Sequence, residues 1–581
     1  MINIKEDEKL SVMNHSCAHL LAQAVKHLYP KAMFWVGPVI DSGFYYDIDL
    51  GDEVIKEEDL EKIEKEMKKI SKDGKRIVRH EISKSEALEM FKDDPYKIDL
   101  INRMNEDDTV ISCYTQGDFT DLCRGPHVDT VKELKYFKLL KVSGAYWKGD
   151  ANNKMLQRIY GVCFDTEERL KEYLDLLEEA KKRDHKKLGK ELDLFMISEY
   201  GPGFPFFLPK GMIIRNELEN FWYKEHTKEG YDFVKTPIML NKELWEVSGH
   251  WYNYRENMYT SEIDEKTFAI KPMNCPGGML VYKNSLHSYK DLPIRIGELG
   301  QVHRHEASGA LNGLFRVRTF TQDDAHIFMR EDQIESEIVR LINFIDRMYK
   351  IFGLTYDIEL STRPEEKYIG SIEIWDKSEA ILEKACHEAG HDCKINPGDG
   401  AFYGPKLDFH IKDSLGRVWQ CGTIQLDMNL PERFDLTYVD ADGSKKRPIM
   451  LHRVIYGSIE RFIGILIEHY AGAFPTWLSP VQVNVIPVNN EYHLEYANNL
   501  MNRLKELDIR CEMDDREEKL GYKIRESQTK KIPYTLVIGD NEKNEDKITY
   551  RKYGHKDTET VSTEEFIKMI LEEIKTKGMN K

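Results

Sequence analysis

The spacing of apolar residues divides the chain into helical and extended stretches. Residues 15–30 place Leu20, Leu21, Ala24, Val25 and Leu28 on one face, with Asn14 or Ser11 as the cap and a stop near Pro30. Leu60, Ile63, Met67 and Ile70 recur at three and four, the period of an amphipathic packing helix. A highly charged run, 165–191, carries Leu170, Tyr173, Leu174 and Leu177 on one side and reads as a solvated connecting helix. Gly and Pro then break the pattern at 201–211, and a helix from Met212 leads into a strand, YDFVKTPIM. The stretch GELGQVHRHEASGALNGLFRVRTFTQDDAHIFM reads as strand, loop and strand. Arg304 and Glu306 share a face two residues apart, the loop carries Ser308, Gly309, Asn312 and Gly313, and Phe315, Val317 and Thr319 alternate with Arg316, Arg318 and Phe320 on the return. Alternation in RVWQCGTIQLDM fits a central strand, and LHRVIYGSIERFIGILIEHY reads as a strand followed by an apolar helix that starts at Gly457 and Ser458. After PTWLSP, short strands alternate with helices to the end, the pattern of an α/β domain with a mixed sheet.

A chain of 581 residues is too long for one core, so three or so domains are expected. The net charge of −17 argues against a generic nucleic-acid binder, although local basic surfaces can still meet RNA. Lys523, Arg525, Lys530, Lys531, Arg551 and Lys552 form one such basic set near the C-terminus. Nine cysteines without a C-x-x-C pair point to a reducing cytosol rather than a disulfide framework. The polar start MINIKEDEKL is unlike a secretory signal, and no apolar run approaches membrane-spanning length. Neither repeats nor low-complexity tracts are present.

Chemistry concentrates in two places. The strand–loop–strand gathers several Arg, whose planar fork grips phosphate or carboxylate, with Glu306, Asp323, Asp324, His326 and a stacking Phe320. His15 and His19 lie one helical turn apart, and Cys123 and His127 are spaced four apart. All four are good zinc ligands, and the alternative is two core-adjacent histidines with a buried cysteine. Cys275, between two prolines in KPMNCPGG, reads by itself as an ordinary buried thiol. Its sequence distance from His326 and His452 gives no reason to group the three.

R-x-E, a loop and a second strand ending F-T-Q-D-D-A-H resemble motif 2 of the class II aminoacyl-tRNA synthetases, in the version of the threonyl enzymes, and the likeness extends over almost the whole chain. The helix and strand ending at Pro237 resemble motif 1, the dimer-forming element, and the strand and helix carrying Arg461 resemble motif 3. The resemblance implies an α+β multidomain protein: an editing domain at 1–165, a linker helix at 166–190, a class II antiparallel-sheet catalytic domain at 191–478 and an α/β anticodon-binding domain at 479–581. It implies a cytoplasmic homodimer that uses ATP, magnesium, threonine and threonine tRNA and makes no membrane contact. One zinc per subunit would sit on Cys275, His326 and His452, with a coordination position open for threonine's amino and hydroxyl groups. Valine lacks that hydroxyl and is rejected; serine loses only a methyl, worth about 1–3 kcal/mol, and leaks through.

Carried over position by position, Arg304 with magnesium would stabilise the phosphates, Glu306 hold the adenine amino group, Arg316 hold the γ-phosphate, and Phe320 and Arg461 sandwich the base. Gln322, Asp324 and Tyr403 would face the amino acid, Lys406 and Gln420 the adenylate, and His250 the tRNA terminus. His15, His19, Cys123 and His127, with Lys97 and Asp121 beside them and Asp47 as a possible wall, would form a metal-free pocket that hydrolyses seryl-tRNA. The run D-x-R…G-x-K-I-R-E…P-Y…V-I-G-D resembles the anticodon-binding domain of class IIa enzymes, with Arg516 as its first Arg. Two departures stand out: a ubiquitin-like N-terminal module is expected to be absent, and Gly278 follows C-P-G where some members have His. The competing readings are a paralogue with another substrate and a non-catalytic RNA-binding regulator.

Overall fold

The computed structural model describes residues 2–104, 111–150 and 152–578, and the chain divides into two compact units, 1–179 and 180–581. The division falls inside the charged segment. That segment is not one helix but two, Glu167–Lys182 and His185–Glu191, broken where Asp184 turns its carboxylate onto the N–H groups of Lys186 and Lys187.

The first unit is a helix on an antiparallel sheet, with strands in the order Met33–Phe34, Gly43–Asp49, Met155–Phe164 and Tyr136–Tyr146, and Val39–Ile40 pairing with the second of these. Helix Glu8–Leu28 begins earlier than its apolar pattern suggested. Its cap is Asp7, which accepts from the Leu10 N–H, rather than Asn14 or Ser11. Asn14 is buried mid-helix and bonds both the N–H and the carbonyl of Cys163, pinning the helix to the sheet. Leu60, Ile63, Met67 and Ile70 are buried in helix Leu60–Asp73, as their spacing predicted, and Gly74 ends it in the left-handed region. A separate three-stranded sheet, Ile77–Ile82, Ile111–Gln116 and Phe119–Leu122, carries Asp121 and releases the chain at Cys123.

The second unit is built on an eight-stranded sheet. Its six central strands run antiparallel in the order Ile294–His303, Thr319–Met329, Ile449–Val454, Val418–Asp427, Lys406–Lys412 and Thr355–Ser361. The expected central strand is there, flanked on both sides. Helices Ile334–Ile351 and Ile459–His469 contribute Ile338, Leu341, Phe462 and Leu466 to the core cluster. Each such side chain contributes about 1.5–3 kcal/mol by leaving water. The predicted hairpin is shorter than its alternation implied: its strands stop at His303 and resume at Thr319, so Arg304, Glu306, Arg316 and Arg318 lie in the connecting loop. Polar ladder partners end at His303↔Thr319, and the chain beyond turns to present its Arg side chains.

The C-terminal part holds a five-stranded mixed sheet. Cys511–Met513, Val483–Pro487 and Tyr534–Ile538 are parallel, and Lys547–Lys552 and Glu559–Ser562 continue it antiparallel. Arg510 ties it to the larger sheet's surroundings, donating to Glu217 at 2.6 Å and to the Trp477 and Ser479 carbonyls. Of the basic set, Lys523 is buried and donates to the Asp514 carbonyl, so it offers no charge to a partner. Arg525 and Lys530 remain exposed, although Lys530 lies near Glu526.

Candidate active sites

A cavity of about 570 Å³ opens between the connecting loop and the start of the last core helix. Arg304, Glu306, Arg316, Phe320 and Arg461 all line it, as do Gln322 and Gln420. Arg304 stands 5.1 Å from the Phe320 ring centre and is oriented by the Pro272 carbonyl. Arg316 pairs with Glu306 at 2.9 Å. Arg461 sits in the first turn of helix Ile459–His469, its N–H capped by Ser458, and its buried Nε has no hydrogen-bond partner among the described residues. Gly457 supports this turn with a φ of +80°, and any Cβ there would meet the Cys421 carbonyl at 2.6 Å.

Lys406 and Gln420 do not point independently at this cavity. Both converge on Asp408, at 2.6 and 2.7 Å, together with Thr423 and Ser361. Asp408 pulls the Lys406 ammonium above its ordinary value against the opposing cost of burial. This buried carboxylate organises one wall of the site and was missed in the sequence, although it lies two residues from Lys406 on the same strand face.

Behind the cavity, Cys275, His326 and His452 are all buried, with ligand atoms within 4.8 Å of one another. The two histidines are cross-strand neighbours, directly opposite in the ladder. Burial holds His326 down to about 4, so its ring is neutral, and its Nε2 has no hydrogen-bond partner among the described residues. Asp427 holds Nε2 of His452 at 2.9 Å, the outer carboxylate typical of ligating histidines. A thiol, an unpartnered imidazole and a carboxylate-oriented imidazole fit a zinc ion. Burial raises the Cys275 thiol, which a metal would deprotonate. Gly278 has a physical reason: a Cβ there would press within 3.0 Å of His326 Nδ1.

Asn274 connects the two regions. Its amide lies 3.1 Å from Asp324 and 3.5 Å from Gln322, and Asp324 reaches to 3.8 Å from His326 Nε2. Tyr403 packs its ring 5.0 Å from that of His452. His250 is fully buried, with its nitrogens on Ser248 and Met273 and Cys275 Sγ at 3.9 Å. It therefore packs against the Cys275–His326–His452 set, and burial depresses it to about 3.

In the first unit His15, His19, Cys123 and His127 also come within 4.8 Å of one another. Cys123 Sγ is 3.1 Å from His15 Nε2 and 3.2 Å from His127 Nε2, and Ser16 meets the other nitrogen of His127. Burial drives all three histidines down, His127 to about 2, and pushes the Cys123 thiol up to about 11. The imidazoles are thus free bases and the thiol keeps its proton. Beside them Asp121 is buried and shared by Lys97, at 2.6 Å, by the hydroxyl of Tyr46 and by His19 at 3.9 Å. Asp47 is elsewhere: strand alternation turns it away from Tyr46, into the fork of Arg158 at 2.6 and 2.8 Å. In GFYYDID it is Tyr46, one position before Asp47, that reaches Asp121 beside the cluster.

Three family descriptions match this chain: the tRNA synthetase class II core domain (G, H, P, S and T) over residues 259–470, an anticodon binding domain over 482–573, and the threonyl and alanyl tRNA synthetase second additional domain over 111–160. The antiparallel sheet, with its Arg-lined cavity, is thus the core of a class II aminoacyl-tRNA synthetase. The threonine–tRNA ligase of Fusobacterium nucleatum subsp. nucleatum is 61% identical over 577 residues, covering 98% of this chain and 92% of that one. That of Clostridium tetani is 58% identical over 587 residues, covering 99% and 91%. The crystal structure of the RNA binding domain of threonyl-tRNA synthetase from Cryptosporidium parvum Iowa II superposes with a TM-score of 0.65 at 41% identity, over 67% of this chain and 98% of that one. The chain belongs to the threonine–tRNA ligase family.

Proposed function

We propose that the chain activates threonine with ATP, transfers it to threonine tRNA, and hydrolyses seryl-tRNA in its first unit. The observation that carries this reading is a single continuous site: the Arg-lined cavity meets the Cys275–His326–His452 set through Asn274, Gln322 and Asp324. ATP, entering with its magnesium, would stack its base between Phe320 and Arg461. Arg316 would leave Glu306 for the γ-phosphate and free the Glu306 carboxylate for the adenine amino group. The threonine carboxylate oxygen then bonds the α-phosphorus as the bond to pyrophosphate breaks, and the Arg304 fork neutralises the charge that builds there. The tRNA terminal ribose hydroxyl attacks the resulting carbonyl, and AMP leaves.

Cys275, His326 and His452 would hold one zinc, which when bound supplies a Lewis acid for threonine's amino and hydroxyl groups. Asp324 accepts from the hydroxyl, and Asn274 keeps that carboxylate in place. Tyr403 closes the pocket, with Lys406 and Gln420 aligned by Asp408 toward the adenylate. In the first unit a neutral His of the cluster would take a proton from water, and the Asp121–Lys97–Tyr46 network would orient the ester. Segments 1–165, 166–190, 191–478 and 479–581 would serve as editing domain, linker, catalytic domain and anticodon-binding domain.

A homodimer is supported by the exposed apolar side chains Met212, Tyr223, Phe233, Ile238 and Met239, which cluster in the motif 1 segment. Nine free cysteines support a cytoplasmic setting, and among the described residues no helix is long and apolar enough to cross a membrane.

The test is amino-acid-dependent pyrophosphate exchange with all twenty amino acids, run on the parent and on Cys275→Ser. Threonine should support exchange, serine weakly and valine not at all, and Cys275→Ser should abolish it while the fold persists. Stoichiometric zinc retained by a Cys275→Ser, His326→Ala double variant would overturn the ligand assignment.

A further inference from the structure

Helix His185–Glu191 reads in the sequence as the solvated end of a linker, yet its first residue is among the most enclosed polar groups in the second unit. His185 is 1% exposed and lies between Glu468 and the loop that lines the proposed ATP site. On one side Glu468, in the last core helix, accepts from both the His185 backbone N–H at 2.9 Å and Nδ1 at 2.7 Å. On the other side Nε2 accepts from the backbone N–H of Leu314 at 3.0 Å. A backbone N–H can only donate, so Nε2 must carry no proton, and the proton resides on Nδ1 facing Glu468. The imidazole is thus a fixed, polarised spacer.

The loop it holds is the one that lines the cavity. Phe315 lies 4.0 Å from the imidazole centre and 4.3 Å from that of Trp419, and both Asn312 and Phe315 line the cavity. Lys186 adds a bond to the Asn312 side chain at 3.1 Å. Gly313 has a φ of +51°, and a Cβ there would stand 2.1 Å from His185 Nε2, so the loop can approach the ring only with glycine at that point. On the far side of Glu468, Arg417 completes the relay at 2.6 Å.

We propose that His185 is a positioning residue for ATP, holding the loop 312–316 in its binding shape through the Leu314 N–H. This rests on the assignment of the cavity to ATP. The two bonds can be separated by isosteres. In His185→Asn the amide nitrogen replaces Nδ1 and keeps Glu468, but nothing accepts from Leu314. In His185→Gln the side-chain oxygen reaches the place of Nε2 and restores the acceptor.

The experiment is threonine-dependent pyrophosphate exchange by the full chain, with KM for ATP and for threonine measured separately. His185→Asn should raise the KM for ATP roughly tenfold, the effect of leaving a buried N–H unpaired, with the KM for threonine within about twofold. His185→Gln should return the ATP value to within about threefold of the parent. Equal ATP values in His185→Asn and parent, or equal losses in both variants and for both substrates, would overturn the proposal. If His185→Asn fails to fold, His185→Gln decides alone: a near-parental ATP value supports the role and a tenfold rise refutes it. Arg461→Ala runs alongside. If it leaves the ATP KM unchanged, the cavity assignment itself is wrong, a result distinct from failure of the His185 variants.

Discussion

Replacing Asp323 by Asn should damage ATP use while leaving stability at neutral pH almost unchanged. Asp323 is fully buried on strand Thr319–Met329, and its carboxylate accepts only from donors. Oδ2 takes the N–H of Ile455 at 2.9 Å, that of Tyr456 at 3.0 Å and the Trp222 indole at 3.2 Å, while Oδ1 takes the Gly457 N–H at 2.9 Å. One side chain thus joins the helix that carries Trp222, strand Thr319–Met329 and the turn at Gly457. An amide offers one acceptor. Its best orientation keeps the three bonds on one side and sets its NH₂ against the Gly457 N–H. The lost bond and the unpaired donor cost about 1–3 kcal/mol, and the surviving bonds weaken with loss of charge.

On the other side, burial pushes Asp323 up to about 6, outweighing the lowering by Arg453 and the three backbone N–H groups. Its ionised form therefore costs about 3 kcal/mol at neutral pH relative to the unfolded chain, a cost that Asn removes. The two terms nearly cancel in stability. They do not cancel in function, because the damage falls on Gly457, which sets the turn that aims Arg461.

The sign with pH follows. A raised folded value gives stability that is present at low pH and lost as pH rises through about 6. The variant should therefore compare worse with the parent at pH 5 than at pH 7.5, by about 1 kcal/mol. The assay pairs parent and variant in thermal melts at both pH values and in exchange kinetics at pH 7.5, where the KM for ATP should rise about tenfold. An unchanged ATP KM, or a melting transition much lower at pH 7.5 than at pH 5 relative to the parent, would refute the reasoning.

Changing His15 and Cys123 together to Ala should leave threonine charging near normal and let seryl-tRNA accumulate; clearance of labelled seryl-tRNA at the parental rate would return the cluster to a packing role. A chelator should stop threonine activation but spare hydrolysis of pre-formed seryl-tRNA, and loss of that hydrolysis would make the cluster a second metal site. Ile238→Asp should shift the protein toward monomer in analytical ultracentrifugation at micromolar concentration, since burying that charge costs several kcal/mol; a monomeric, fully active parent would count decisively against the dimer.

Much of this protein was decided by local sequence. Alternation located strand Val418–Asp427, whose last four residues are nonetheless buried on both faces, and the three–four spacing of Leu60, Ile63, Met67 and Ile70 fixed their helix, because one buried face imposes its own period on the residues that fill it. In the Arg-lined cavity, Arg304, Glu306, Arg316 and Phe320 were legible because they are close in the chain; Gln420 and Arg461 lie far from them and were assigned by the motif resemblance, with Gly457 and Ser458 marking the turn that carries Arg461. Tertiary structure alone decided the rest. Cys275, His326 and His452 meet because two strands pair in register and a helix starts opposite them, which no spacing encodes. Asp408, Asn274 and Tyr46 act as hubs only once other elements bring their donors and acceptors to them. Charge misled at both ends of the second unit, where Lys523 and His185 sit in runs of charged residues yet are buried. A polar side chain is buried wherever the fold supplies its hydrogen-bond partners, and those partners, the Asp514 carbonyl for one and Glu468 with the Leu314 N–H for the other, come from distant parts of the fold or from around a turn.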